Sequence, residues 1–131
     1  MAYNVYHNPK NVTLGATPIT GVVAVALAQQ HGELHAAADN DVHESVAVHT
    51  TGQTNGAIVL LDPVQAQAIA GTTGTLSFVW SNAAGSGDKT VTITGCSIAG
   101  WEGQVGRDGA SRATLRFIAA KTDGSNPVGI A

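Results

Sequence analysis

Alternation of apolar and polar side chains constrains this chain more than any other feature, and it is clearest in the closing segment, residues 112–121. Ala113, Leu115 and Phe117 occupy every second position there, and arginine and threonine residues separate them. Successive side chains of a β-strand point to opposite faces of a sheet, so the pattern predicts a strand with one core face and one polar face. The segment therefore favours a β fold.

The same two-residue period recurs earlier in the chain. Residues 22–28 alternate valine or leucine with alanine, which predicts a core face and a small, flat face suited to close approach by another sheet or subunit. Residues 75–81 and 89–94 repeat the pattern with larger side chains. The apolar phase slips by one after Gly95, which a β-bulge at that glycine explains. The core residues predicted from these faces are Val23, Val25, Leu27, Leu76, Phe78, Trp80, Leu115 and Phe117.

Residues 62–70 carry the one convincing helix signal. Asp62 suits the N-cap position, Pro63 suits the first helical position, and Gln65 suits the reciprocal contact of a capping box. Gly71 suits a left-handed stop at the other end. A helix of about two and a half turns can cover part of a sheet but is too short for a helical bundle.

Together these signals predict a single domain over residues 1–131, with a short N-terminal arm and a C-terminal tail. The expected fold class is mainly β: a sandwich or barrel of two packed antiparallel sheets, flanked by one short α-helix from about Asp62 to Ala70. Residues 43–49 are a further predicted strand within it. A chain of 131 residues is large enough for one hydrophobic core and too short for two domains.

Charged residues make up only 11% of the chain, against about 25% in an average soluble domain. Charged side chains normally coat a free surface, so this shortage predicts that other copies of the chain cover much of the surface. A compact monomer rich in glycine and alanine is the alternative interpretation.

The few charges are divided unevenly along the sequence. Residues 11–88 contain six acids and no lysine or arginine, whereas residues 89–131 contain five bases and three acids. The division predicts a polar subunit whose acidic face meets the basic face of the next copy. Pairing of the two halves within one fold is the alternative. The candidate contact residues are Asp39, Asp41, His43 and Glu44 on the acidic side, and Arg107, Arg112 and Arg116 on the basic side.

Residues with catalytic or ligand-binding chemistry do not form a recognisable site. His31 and His35 lie four positions apart, which in a strand separates them by about 13 Å, too far for one shared metal ion. Cys96 falls inside a strand pattern, where a buried thiol is inert. We therefore expect no enzyme activity, no metal site and no cofactor.

Nucleic acid and membrane are not expected as binding partners either. Six basic residues are too few for a groove that neutralises roughly six to ten phosphates of a duplex. The longest apolar run is far shorter than the roughly 20 residues of a membrane helix. The first ten residues lack the apolar core of a signal peptide, which predicts synthesis in the cytoplasm.

The order of the predicted segments carries a family likeness. Gly-Thr-Leu-Ser-Phe at residues 74–78, and a closing strand followed by Asp-Gly-Ser-Asn-Pro at residues 123–127, are its strongest parts. From Gly21 to Pro127 this order resembles the tail tube proteins of long-tailed bacteriophages. Their fold is shared with the tube subunits of type VI secretion and contractile injection machines.

The resemblance implies a structural protein of the phage virion that forms hexameric rings stacked into a hollow tail tube. Genomic DNA passes through such a tube during ejection without specific binding. The resemblance also implies that residues 36–48 contact the next ring. The expected partners are further copies of the chain and other phage tail proteins, namely the tape measure, tail tip and terminator proteins.

Two other functions stay open at this stage. One is another self-assembling β-structural virion subunit, such as a decoration protein or a minor capsid or tail protein, which would form trimers or caps. The other is a small ligand-binding β-sandwich, which would require exposed aromatic side chains.

Overall fold

Residues 4–131 are described by a computed structural model, and they contain eight strands and one helix. A long hairpin and the helix precede the central strands of the sheet. The elements are β1 Tyr6–Leu14, β2 Thr17–Pro18, β3 Val22–Ala36, β4 Val46–Leu60, α1 Pro63–Ile69, β5 Thr73–Asn82, β6 Lys89–Gln104, β7 Arg112–Ala119 and β8 Val128–Ile130.

The strands pair antiparallel in the order β2-β1-β5-β6-β7-β4-β3, and β8 pairs with β6 outside that path. β1 and β3 stand near opposite ends of this order, yet they contact each other. The sheet therefore curls on itself, and the two predicted layers are parts of one continuous sheet. The predicted mainly-β class with one short helix is confirmed.

The core lies inside the curled sheet, where the alternating faces of β5, β6 and β7 meet. Leu76, Phe78, Leu115 and Phe117 are buried completely or almost completely. Trp80 is half-buried at the margin of the core, with its ring centroid 5.9 Å from that of Phe78. Residues of β1, β4 and α1 complete the cluster; among them are Val12, Leu14, Ile58, Leu60, Ala66 and Ile69.

One predicted core residue, Val23, lies on the surface with 42% of its area exposed. The register shifts between Val22 and Ala24, so a bulge at Val23 turns its side chain away from the core. Val22 packs against the core in its place, together with Val25 and Leu27. The prediction that residues 22–28 alternate strictly was wrong at its start, where Val22 and not Val23 faces the core.

A second bulge confirms the phase slip predicted at Gly95. Leu76 pairs with Ile93 and Gly74 pairs with Cys96, so two residues of β6 oppose one residue of β5. Gly95 has a φ of 66°, a left-handed conformation that suits glycine at a bulge. The bulge keeps both halves of the strand facing the core, because Ile93 and Cys96 are each fully buried.

The predicted helix is also confirmed, with Asp62 as its N-cap and Pro63 in its first turn. The Asp62 carboxylate accepts a hydrogen bond from the Val64 amide at 3.0 Å. The capping box expected of Gln65 was wrong, because its side-chain amide instead donates to the Thr20 carbonyl at 2.8 Å. Gln65 therefore ties the helix to the turn before β3, a contact that local sequence does not encode.

Both ends of the described chain pair with strands of the sheet, where the sequence predicted an N-terminal arm and a C-terminal tail. β1 pairs with β5 from Tyr6 onward, through two register shifts at which Asn8 and Asn11 adopt positive φ. These bulges break the alternation by which a strand is recognised in sequence. At the other end, β8 pairs with β6 through its three residues.

Replacing Gly56 with alanine should destabilise the fold. Gly56 pairs with Phe117, and a Cβ there would lie 2.5 Å from a Phe117 ring atom and against the Ala26 carbonyl oxygen. Overpacking of this kind costs about 1–3 kcal/mol. We expect a lower urea midpoint for Gly56→Ala. Gly106→Ala is the matched control, since a Cβ there meets nothing within 4 Å. Equal midpoints for the two variants would contradict this packing.

Candidate self-association surface

The hairpin of β3 and β4 extends beyond the rest of the sheet. β7 supports β4 only from Thr54 to Leu60, and every residue from 28 to 53 is exposed. We call residues 28–53 the distal ribbon. The part of β4 that lies in the ribbon, residues 46–53, is about 23 Å long, from the ~3.3 Å rise of each residue. An isolated two-stranded hairpin is only marginally stable in water, so a ribbon of this length requires support.

The base of the distal ribbon is fixed by the C-terminal turn. The Gln29 side-chain amide donates to the Thr54 hydroxyl at 3.1 Å and to the Asn126 side-chain oxygen at 2.7 Å. Asn126 also accepts from the Val128 amide at 3.0 Å, at the start of β8. This short network sets the direction in which the ribbon leaves the sheet.

The two faces of the distal ribbon differ sharply in chemistry. Leu34 pairs with Val48 and Ala36 pairs with Val46, which places these side chains on one face. Leu34 and Val48 are 55% and 51% exposed, so this apolar face is open to solvent. The opposite face carries polar side chains: His31, Glu33, His35 and His49. Exposed apolar side chains on a projecting element are typical of a protein–protein contact.

Four predicted contact residues lie at or beside the tip of the ribbon, in residues 37–45. Asp41 shapes the turn, since its carboxylate accepts from the Ala38 amide at 2.9 Å and Asn40 adopts a φ of 70°. Asp39 and His43 are exposed there. The predicted strand over residues 43–49 begins only at Val46, because the tip turn occupies the positions before it.

Glu44 contacts His35, which closes the turn against β3. The two ring nitrogens of His35 lie 2.6 Å from a Glu44 oxygen and 2.9 Å from a Glu33 oxygen. Ionised carboxylates only accept hydrogen bonds, so both nitrogens carry a proton in this geometry and the imidazole is a cation. These contacts raise the pKa of His35 above its ordinary value, the Glu33 contact most and the Glu44 contact next.

The three predicted basic contact residues lie away from the tip, on β7 and in the turn that precedes it. Arg112 and Arg116 are both exposed on β7, about 13 Å apart by strand geometry. Arg116 is paired with Glu102 at 3.2 Å. Arg107 is exposed in the turn between β6 and β7.

The acidic tip and the two arginines Arg107 and Arg112 lie at opposite ends of the sheet. β4 runs from Val46, beside the tip, to Leu60, which pairs with the neighbour of Arg112. Fourteen residue steps separate these ends, or about 46 Å at ~3.3 Å per residue. The tip residues 37–45 contain three acids and neither lysine nor arginine. The acidic tip and these two arginines therefore mark opposite ends of the strands.

β3 also presents an open edge. Within residues 4–131 its only strand partner is β4, so one side of its backbone has no ladder. The side chains of Ala24, Ala26 and Ala28 are exposed and small. The part of this edge that does not lie beside β1 is a template for pairing with another chain.

Two observations on residues 4–131 concern metal ligands and the single thiol. They contain no group of three or more histidine, cysteine or acidic side chains placed to hold a metal ion. Burial raises the pKa of the Cys96 thiol to about 11, so it stays protonated at neutral pH. No helix among these residues has the length and apolar content needed to cross a membrane.

Comparison by sequence finds no matching protein-family model and no matching curated protein. Comparison by structure does find similar folds. One is a chain of the sheath–tube complex of an extracellular contractile injection system, PVC, in the extended state. The TM-score is 0.62 at 10% identity, over 92% of this chain and 86% of the other.

A second similar structure is a chain of the anti-feeding prophage cap, a tube-terminating cap. The TM-score is 0.60 at 10% identity, over 92% of this chain and 85% of the other. At this identity the likeness establishes the fold. The tail-tube-like fold implied by the sequence resemblance is confirmed, and the chain has the fold of structural components of tail-like injection assemblies.

The contacts of His35 with Glu33 and Glu44, which we call the His35 clamp, should make the structure of the ribbon tip depend on pH. The pKa of His35 is raised, so the His35 clamp is complete at pH values below about 6.5, the ordinary pKa of histidine. The clamp is lost as the pH rises through the raised pKa of His35. An NMR titration of His35 should give a midpoint above 6.5, the ordinary pKa of histidine, and Glu33→Gln should lower it most. A midpoint at the ordinary value that neither Glu33→Gln nor Glu44→Gln changes would contradict the clamp.

Proposed function

We propose that this protein is the subunit of a phage tail tube, which self-assembles into stacked hexameric rings and forms the conduit for genome ejection. One observation carries the proposal. In a fold shared with injection-system components, the distal ribbon leaves an apolar face exposed, next to an open strand edge. Both features are unfavourable in a monomer and favourable in an assembly.

Ring formation uses the open edge of β3. In the proposed ring this edge pairs with a strand of the neighbouring copy, so that the sheets join around the axis. The exposed alanines Ala24, Ala26 and Ala28 allow close approach of the neighbour's backbone. The number of copies, six, is taken from the family resemblance.

Stacking uses the polarity of the subunit. The acidic tip of one ring lies against the end of the next ring that carries Arg107 and Arg112. Such a head-to-tail contact joins two different surfaces, so it propagates along an axis instead of closing. The ~46 Å between the two ends of the strands suits this arrangement, because the tip carries three acids while Arg107 and Arg112 lie at the other end, beside Asp108.

The charge of the chain suits passage of DNA without binding. The net charge is −3, and basic residues that would neutralise phosphates are few. From the resemblance we further propose that the protein is part of the phage virion. Its neighbours in the tail would be the tape measure, tail tip and terminator proteins.

The apolar face of the distal ribbon should be required for assembly but not for folding. Electron microscopy of the purified wild-type chain in negative stain should reveal rings or tubes. Leu34→Glu with Val48→Glu should reduce the assembled fraction by at least about tenfold, because two charges would be buried against the neighbour. Ile130→Glu, a change on β8 at a residue 54% exposed and outside both proposed contact surfaces, is the control.

Circular dichroism of both variants should match the wild type, since none of these residues belongs to the core. A wild-type chain that stays monomeric at high concentration would overturn the proposal. Closed trimers or caps would favour a decoration or minor virion subunit instead.

Charge complementarity between stacked rings is open to a separate test. Asp39→Lys with Asp41→Asn removes two negative charges and keeps an acceptor for the Ala38 amide. We expect shorter tubes and a weaker dependence of tube length on salt, because fewer unlike charges meet. Adding Arg107→Glu should restore length. Unchanged length and salt dependence in the first variant would disprove stacking through the acidic tip.

A further inference from the structure

Two histidines on the polar face of the distal ribbon form a close pair. The ring centroids of His31 and His49 are 5.0 Å apart, and the ring planes are inclined at 70°. The two residues lie on different strands: His31 pairs with Gly52, and His49 pairs with Glu33. They are therefore diagonal neighbours across the hairpin, and both are exposed to solvent.

Local structure holds the His31 ring in one orientation. Gly52 leaves room for it, because a Cβ at that position would lie 2.9 Å from the His31 Cε1 atom. His31 Nδ1 lies 3.0 Å from the Thr50 carbonyl oxygen. A carbonyl oxygen only accepts, so Nδ1 carries the proton and Nε2 of the neutral ring keeps its lone pair. Metal-binding histidines characteristically donate their other ring nitrogen in this way.

The separation of the two rings matches that of two ligands on one ion. A metal–nitrogen bond of about 2.0–2.1 Å places a ring centroid about 3.2 Å from the ion. Two such ligands at square-planar or tetrahedral angles have centroids about 4.5–5.2 Å apart. The observed 5.0 Å falls within this range. By contrast, His31 and His35 on the same strand are separated by about 13 Å.

We propose that His31 and His49 form a binding site for a divalent transition-metal ion. Imidazole nitrogen suits Cu²⁺, Ni²⁺ and Zn²⁺, whereas Mg²⁺ and Ca²⁺ require oxygen ligands. Glu33 pairs with His49 along the backbone, but its carboxylate is engaged by His35 at 2.9 Å. Water therefore completes the coordination, in agreement with the absence of a three-residue cluster among residues 4–131. The preferred order is Cu²⁺ above Ni²⁺ and Zn²⁺.

Metal binding is measured on the tag-free full-length chain by calorimetric titration with Cu²⁺, Zn²⁺ and Mg²⁺ at neutral pH. We expect one Cu²⁺ ion per chain, weaker Zn²⁺ binding and no Mg²⁺ binding. His31→Ala and His49→Gln should each weaken Cu²⁺ binding by at least about tenfold. His43→Ala, at an exposed histidine of the tip, is the matched control and should leave binding unchanged.

Electron paramagnetic resonance of the bound Cu²⁺ provides a second readout that folding defects do not mimic. The spectrum should show two equatorial nitrogen ligands in the wild type and one in either single variant. Equal Cu²⁺ affinity in the wild type and in the double variant His31→Ala, His49→Gln would overturn the site. So would a wild-type spectrum without nitrogen ligands. Both measurements report on the bound ion itself, so their outcome does not depend on tube formation.

Discussion

The pairing of β3 with β4 is the interaction on which the surfaces of the distal ribbon, and the proposals built on them, depend. The ladder continues from the core, where β7 supports β4, through residues 28–53, where only the two strands remain. Backbone hydrogen bonds and a few side-chain contacts, among them those of Gln29 and His35, keep this part extended, since no core side chain lies beneath it. The ladder thereby exposes both faces of a hairpin, and it carries the acidic tip residues to the end of the strands opposite Arg112.

That ladder also brings together side chains that are distant in sequence. His31 meets His49 across the hairpin, and His35 meets Glu44 across the tip. Residues on one strand at four-residue spacing remain apart, whereas diagonal neighbours come within contact distance. The chemistry of the ribbon is therefore a property of its register. A shift of one residue would mix the apolar and polar faces.

Elements with a regular pattern were predictable, and irregular elements were not. The strand of residues 112–119, the helix after Asp62 and the bulge at Gly95 each follow from local signals that the structure retains. β1 was missed because its bulges at Asn8 and Asn11 interrupt the alternation. Val23 was assigned to the core because a bulge cannot be recognised from a run of valine and alanine.

The sequence by itself determined the β class, the helix and the scarcity of charge, because each depends on residue types and short-range periodicity. It also placed the acidic tip residues within one segment. The tertiary structure alone decided that residues 28–53 leave the core, that the tip and Arg112 lie at opposite ends, and that His31 lies beside His49. These facts depend on which strands pair and where pairing stops, and long-range register is not encoded in any local pattern.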